Sequence, residues 1–232
     1  MLGLSNSLTS GGVLSGGFST PADLTDIIHW WRSDAGVEES DESAPEDEEQ
    51  ITKWRDQVGT EHATASSNFP YWDATEEALV FNGGSKLLEL PSGDVSLSGD
   101  FSIWVRLKFT AITNADKFII DSSNSNMFWR ITNSTTSRVK TQAGSSGNND
   151  YTLSTLNTST YYNIGIQRSG SNMRLYVGTS ESSTGAITNE TTLTFDQIKG
   201  SNDDYFKTLI VCTSALSTQE ISDLNTWLDD NL

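Results

Sequence analysis

Between positions 101 and 109 the chain alternates without a break. Phe101, Ile103, Val105, Leu107 and Phe109 hold the odd positions, and Ser102, Trp104, Arg106 and Lys108 hold the even ones. A period of two sorts side chains onto the two faces of an extended strand, and no helix can separate these two sets. The odd set predicts a row facing a core, with Trp104, Arg106 and Lys108 on the opposite face. The pattern recurs. Tyr162, Ile164 and Ile166 alternate, Arg168-Ser169-Gly170-Ser171-Asn172 reverses the chain, and Met173, Leu175 and Val177 alternate again, which predicts a hairpin. Segments 117–121 and 127–131 read as a second pair around a Ser- and Asn-rich turn. Segment 191–195 reads as an edge strand and 205–213 as the last strand.

The period changes near the end of the chain. Ser217-Thr218-Gln219-Glu220 has the spacing of a capping box, in which a hydroxyl and a carboxylate each satisfy a free backbone N–H. Ile221, Leu224 and Leu228 then share one face with Trp227 beside them, predicting a helix over 217–229 that packs on the sheets. The apolar fraction is only 35%, but seven Trp, nine Phe and six Tyr bring large buried areas, and Trp30, Trp54 and Trp227 read as core. At 232 residues, with no repeat of fixed period, the chain suits one all-β domain over 21–232 behind an N-terminal arm over 1–20.

Charge removes several function classes. A formal net charge of −17 repels phosphate backbones and anionic lipid, which argues against nucleic acid and membrane surfaces as partners. No segment reaches the roughly 20 apolar residues that span a bilayer, so no membrane insertion is expected, and Met1 to Thr20 lacks the pattern of a secretion signal. Eight carboxylates crowd positions 38–49, and the stretch 38–50 reads as a solvated loop. Cys212, the only cysteine, sits in Leu209-Ile210-Val211-Cys212 and reads as a small buried side chain.

Several segments stand in a telling order. They are Trp30-Trp31-Arg32-Ser33-Asp34-Ala35-Gly36-Val37, Lys53-Trp54-Arg55-Asp56-Gln57-Val58-Gly59, Leu79-Val80-Phe81-Asn82-Gly83, the strand 101–109, and Ala215-Leu216-Ser217 before the helix. This series resembles a laminin-G-like domain of the concanavalin A-like lectin/glucanase superfamily. The resemblance implies a two-sheet antiparallel jelly-roll sandwich with a short C-terminal helix. Glucanases of that superfamily carry a Glu-x-Asp-x-x-Glu strand, whereas Glu39-Ser40-Asp41 here is followed by Ala44 at the third position. Phosphate loops, His-Glu-x-x-His helices and Gly-x-Ser-x-Gly elbows are also missing from the sequence, and no enzyme is expected. Glycan binding would draw on Trp104, Trp129, Tyr71 and Trp72 for stacking, with Asn124 and Asn126 in an adjoining turn, against the plainer reading of these aromatics as core. No cofactor is expected. The resemblance leaves room for one Ca2+ at Asp121, or near Asp203-Asp204, although a capping or turn-forming role is the better account of these aspartates.

The whole layout resembles virion structural proteins of tailed phages, particularly those of marine cyanobacteria. That implies a non-enzymatic decoration, tail or fibre component, assembled in the host cytoplasm and exposed on the particle. The arm would anchor it through Leu2, Leu4, Leu8, Val13, Leu14 and Phe18 to a major capsid, tail or neck protein, or to copies of itself. A host glycan is a further expected partner. The alternatives are a free-standing carbohydrate-binding lectin module and, third, a glycoside hydrolase.

Overall fold

The computed structural model describes residues 17–83, 86–90, 95–112, 117–123, 127–140, 148–186, 192–200 and 204–232. After a 3-10 turn at Pro21–Asp23 come β1 (Ile27–Arg32), β2 (Val37–Glu38), β3 (Lys53–Trp54), β4 (Ala63–Thr64), β5 (Tyr71–Asp73) and β6 (Ala78–Phe81). Next are β7 (Leu87–Glu89), β8 (Val95–Leu97), β9 (Phe101–Lys108), β10 (Lys117–Ile120), β11 (Phe128–Asn133), β12 (Thr136–Lys140) and β13 (Asn148–Thr152). The chain closes with β14 (Tyr161–Ser169), β15 (Asn172–Val177), β16 (Ser180–Ala186), β17 (Leu193–Phe195), β18 (Gln197–Lys199), β19 (Asp204–Cys212) and helix α1 (Thr218–Asn231).

These strands make a two-sheet antiparallel sandwich. The first sheet runs β16-β15-β14-β9-β19-β6-β5, with β1 sharing the edge of β19 that β6 also uses. The second runs β13-β12-β11-β10-β18-β7-β4-β3-β2, and β8 with β17 forms a small ribbon apart. Two expected hairpins are present, β10 with β11 and β14 with β15. The segment expected as an edge strand near 191–195 is β17, and Thr191 lies outside the described residues.

The odd residues of β9 face inward as predicted: Phe101, Ile103, Val105, Leu107 and the following Phe109 are fully buried. Phe118 ties the two sheets together, its ring 4.9 Å from that of Trp129 and 6.0 Å from that of Phe206. Trp54 joins the same core, and its indole N–H donates to the Arg32 carbonyl.

A second core lies on the outer face of the first sheet. There α1 covers Trp30, Trp104, Ile210 and Cys212 with Ile221, Leu224, Trp227 and Leu228. The helix begins as its sequence requires. Ser217 Oγ accepts the Glu220 N–H at 3.2 Å, and the Glu220 carboxylate accepts the Ser217 and Thr25 N–H groups at 2.8 and 2.9 Å. It continues to Asn231, two residues past the expected end. Burial alone would raise the Glu220 carboxyl, but the bonds from Thr25 and Ser217 outweigh it and lower the pKa to about 2.

The expected solvated loop 38–50 is ordered at both ends. Glu38 is buried in β2 and paired with Arg55 and Lys53. The 47–51 stretch docks along β5: Glu48 N–H donates to the Trp72 carbonyl, Trp72 N–H to the Glu49 carbonyl, and Ile51 N–H to the Pro70 carbonyl. Backbone pairing with an open strand edge overrides the repulsion between carboxylates that point to solvent. The fully solvated reading holds only for the middle of the run.

Candidate glycan cleft

The docked acidic segment and β5 create the relevant geometry. Tyr71 and Trp72 are consecutive, so they point to opposite faces. Trp72 packs at the margin of the inter-sheet core and floors a cleft of about 270 Å³ with Val37 and Pro45, rimmed by Asp34 and Glu77. Tyr71 stands on the outer face opposite Val80. It lines a cleft of about 340 Å³ with Phe69, Glu48, Gln50, Asn82 and Lys86. Three chain segments build this second cleft. The docked segment supplies Glu48 and Gln50, the approach to β5 supplies Phe69, and the turn after β6 supplies Asn82 and Lys86. In that turn Gly83 sits at φ 80°, in the left-handed region, and its carbonyl accepts the Lys86 N–H at 3.1 Å.

The chemistry of the second cleft is mixed in a useful way. Two aromatic rings offer flat apolar faces, two amides each offer a donor and an acceptor side by side, and one carboxylate and one ammonium complete the set. Its volume falls at the small end of ligand sites. Sequence reading reached Tyr71 and Trp72 but missed Gln50, Phe69, Asn82 and Lys86. Those residues converge only through the docking of 47–51 and the turn at Gly83, and nothing in local periodicity announces either.

The other expected site residues lie elsewhere. Trp104 is fully buried: it is on the outer face as read, but α1 and Tyr176 cover it, with the Tyr176 ring 5.6 Å away. Gly165, opposite it on β14, lets the indole lie flat against the strand, where any Cβ would come within 2.5 Å of the ring. Trp129 faces the inter-sheet core, and its indole N–H donates to Ser137 Oγ at 3.0 Å. Neither tryptophan can touch a sugar. Asn124 and Asn126 lie outside the described residues, as do Leu2, Leu4, Leu8, Val13 and Leu14 of the arm. Phe18 packs partly buried against the helix-side core of its own chain.

Asp121 is buried at the end of β10, where its carboxylate accepts the Ser123 hydroxyl at 2.6 Å and the Thr194 hydroxyl at 2.5 Å. This is turn stabilisation, and no group of three His, Cys, Asp or Glu side chains is placed to hold a metal among the described residues. Asp204 is buried at the start of β19, and Asp203 lies outside the described residues.

The histidines and the cysteine are also placed. Both histidines converge on Asp56 of the Trp54–Gly59 turn. Its carboxylate bonds His29 Nδ1 at 2.7 Å and accepts the Trp30 and Val58 N–H groups, and its own N–H donates to His62 Nδ1 at 3.2 Å. Burial would raise the Asp56 carboxyl, but the His29 bond and the backbone amides hold it below the usual range. Cys212 is fully buried, and burial pushes its thiol up to about 12, as an inert core cysteine should be.

Fold and cleft together define an all-β sandwich with an open recess of aromatic and polar lining beside β5. No protein-family profile and no curated protein sequence matches the chain. Among solved structures it is similar to Trypanosoma rangeli sialidase in complex with 2,3-difluoro-KDN, at TM-score 0.59 and 10% identity, covering 88% of this chain and 33% of that one. It is also similar to the ligand-binding domain of botulinum neurotoxin serotype D in complex with N-acetylneuraminic acid, at TM-score 0.62 and 12% identity, covering 89% and 52%. The serotype C1 binding domain aligns at TM-score 0.56 and 13% identity, covering 89% and 52%. The chain thus spans about one third of the sialidase and about half of the neurotoxin domains, and at these identities the likeness is one of fold.

Proposed function

We propose that this protein is a non-catalytic carbohydrate-binding module that holds a sugar in the cleft beside Tyr71. The observation that carries this reading is the convergence of Phe69 and Tyr71 with Gln50, Asn82, Glu48 and Lys86 around one open recess. A pyranose has an apolar face for the rings and rows of hydroxyls for the amides, and the recess offers both kinds of partner. Two fold neighbours were solved in complex with sialic acid and with N-acetylneuraminic acid, which supports a glycan over other small ligands. The test is retention on immobilised glycans: wild type should be retained and eluted by free sugar, and Tyr71→Ala and Asn82→Ala should pass through. Equal retention of all three proteins would place binding elsewhere.

The wider setting we propose is the surface of a tailed-phage particle, as a decoration, tail or fibre protein. It rests on the chain layout described above, and mass spectrometry of purified particles from the source would test it. Absence of the protein from particles, with sugar-dependent retention intact, would leave the free-standing lectin.

A further inference from the structure

On the outer face of the first sheet α1 packs over Trp30, Trp104, Ile210 and Cys212. Away from these residues the strand registers align one row across five strands. Tyr161 of β14 pairs with Lys108 of β9, Lys108 with Tyr205 of β19, Tyr205 with Val80 of β6, and Val80 with Tyr71 of β5. Gln50 of the docked segment pairs with Tyr71 and ends the row inside the cleft. The cleft is therefore one end of this row, in which Val80 is fully buried and Tyr161, Tyr205 and Tyr71 are partly exposed.

The other end of the row gathers cations. Lys207 Nζ, Lys108 Nζ and the Arg106 guanidinium stand 5.1, 5.2 and 5.6 Å from the centre of the Tyr161 ring. Lys108 is also 4.2 Å from the Tyr205 ring. Two of the three are neutralised, Lys108 by Glu76 at 2.6 Å and Arg106 by Asp229 at 2.6 Å. Lys207 makes no ion pair among the described residues, although Glu76 and Glu77 lie in its surroundings. It reaches this face through a bulge: the register with β9 slips between Phe206 and Thr208, so Lys207 and Thr208 both point outward. Burial holds the Lys207 ammonium below its usual range, against the pull of the Glu77, Glu76 and Asp34 carboxylates around it.

We infer that this row binds a carboxylate-bearing oligosaccharide, with Lys207 and its neighbours taking the carboxylate and the Tyr71 cleft taking a sugar ring further along the chain. The inference rests on the glycan reading of the cleft and adds the acidic class of the ligand and its direction across the strands. A chain of net charge −17 repels anions in general, so a half-buried cation with no direct ion pair among the described residues selects an anion placed there by a specific contact. Lys207 is on β19, two strand spacings from Tyr71, and its Nζ reaches back to the Tyr161 ring of β14, so the two ends are about 10 Å or more apart, a reach of at least roughly two pyranose rings. A monosaccharide is therefore too short to use both ends.

The experiment is calorimetric titration of full-length protein with uronate oligosaccharides from monomer to hexamer, their carboxyl-reduced counterparts, and sialylated trisaccharides. Wild type should bind acidic trimers and longer chains about tenfold more tightly than the reduced forms, the scale of one charge-assisted hydrogen bond. Lys207→Gln should erase that preference and leave binding of the reduced chains unchanged, Lys207→Arg should restore it, and Tyr71→Ala should abolish both. Thermal melts confirm that each variant is folded. The uronate and sialylated arms separate the two sources of carboxylate, and preference in either supports the inference. A folded Lys207→Gln that keeps the preference, or monomers that bind as tightly as trimers, overturns it. Tyr71-dependent binding with no acidic preference overturns this inference and spares the cleft, whereas no binding of any glycan overturns both.

Discussion

Gly165→Ala probes the burial of Trp104, the point at which the structure departs most from a plain reading of β9. A Cβ at Gly165 would sit 2.5 to 2.7 Å from three atoms of the Trp104 indole. The ring has nowhere to retreat, because it is fully buried, with Tyr176 at 5.6 Å and α1 across the second core. Overpacking of this kind costs about 1–3 kcal/mol. The substitution also restricts the unfolded chain, which returns about 0.4–1 kcal/mol. The net loss should be about 1–2 kcal/mol, or a fall in Tm of roughly 3–6 °C for a domain of this size. Urea and thermal unfolding followed by tryptophan fluorescence would measure it. In a Trp104→Leu background the clash is gone, so adding Gly165→Ala should be neutral or slightly stabilising, and the coupling between the two sites appears directly in the cycle. Gly165→Ala as stable as wild type would show that the indole is not held against β14, and Trp104 would return as an exposed candidate for sugar stacking.

Other expectations follow from single features. Phe101→Ala or Leu107→Ala removes a fully buried inward side chain of β9 and should cost about 2–5 kcal/mol, while Arg106→Ala should cost much less; equal losses in urea denaturation would reverse the assigned register. Glu220 has a pKa of about 2 in the folded chain, below the ordinary carboxylate value, so its contribution is complete above about pH 5 and is lost as pH falls towards 2. Discounted for a partly exposed carboxylate, that contribution is about 1–2 kcal/mol, and the stability gap between wild type and Glu220→Gln should close over that pH window. Purified protein should release no reducing sugar from β-glucans or host polysaccharide, and turnover abolished by one Asp or Glu substitution would defeat the non-catalytic reading.

Much of the fold was readable because period-two alternation is a direct consequence of strand geometry. It located β9, the β14–β15 hairpin and the inward row, and the capping box located the start of α1. The site was less readable. Trp104 was placed on the correct face, but whether that face is wet depends on how far α1 reaches, a tertiary fact that no strand pattern records. Trp129 sits on β11 of the second sheet, and which face of that strand turns inward is set by the first sheet packed against it. The acidic run misled for a similar reason: its charges predict solvent, while its backbone still had donors and acceptors to satisfy and found them on β5. Gln50, Asn82 and Lys86 gain meaning only once that docking brings them beside Tyr71.

A backbone-amide NMR titration of wild type with the glycan best retained on the immobilised panel reads the cleft residue by residue. Saturable shifts should cluster at Gln50, Phe69 to Trp72, Asn82 and Gly83, and spread to Tyr205 and Lys207 with acidic oligosaccharides. Shifts confined to the turn after Asp121, or none at saturating ligand, would contradict it.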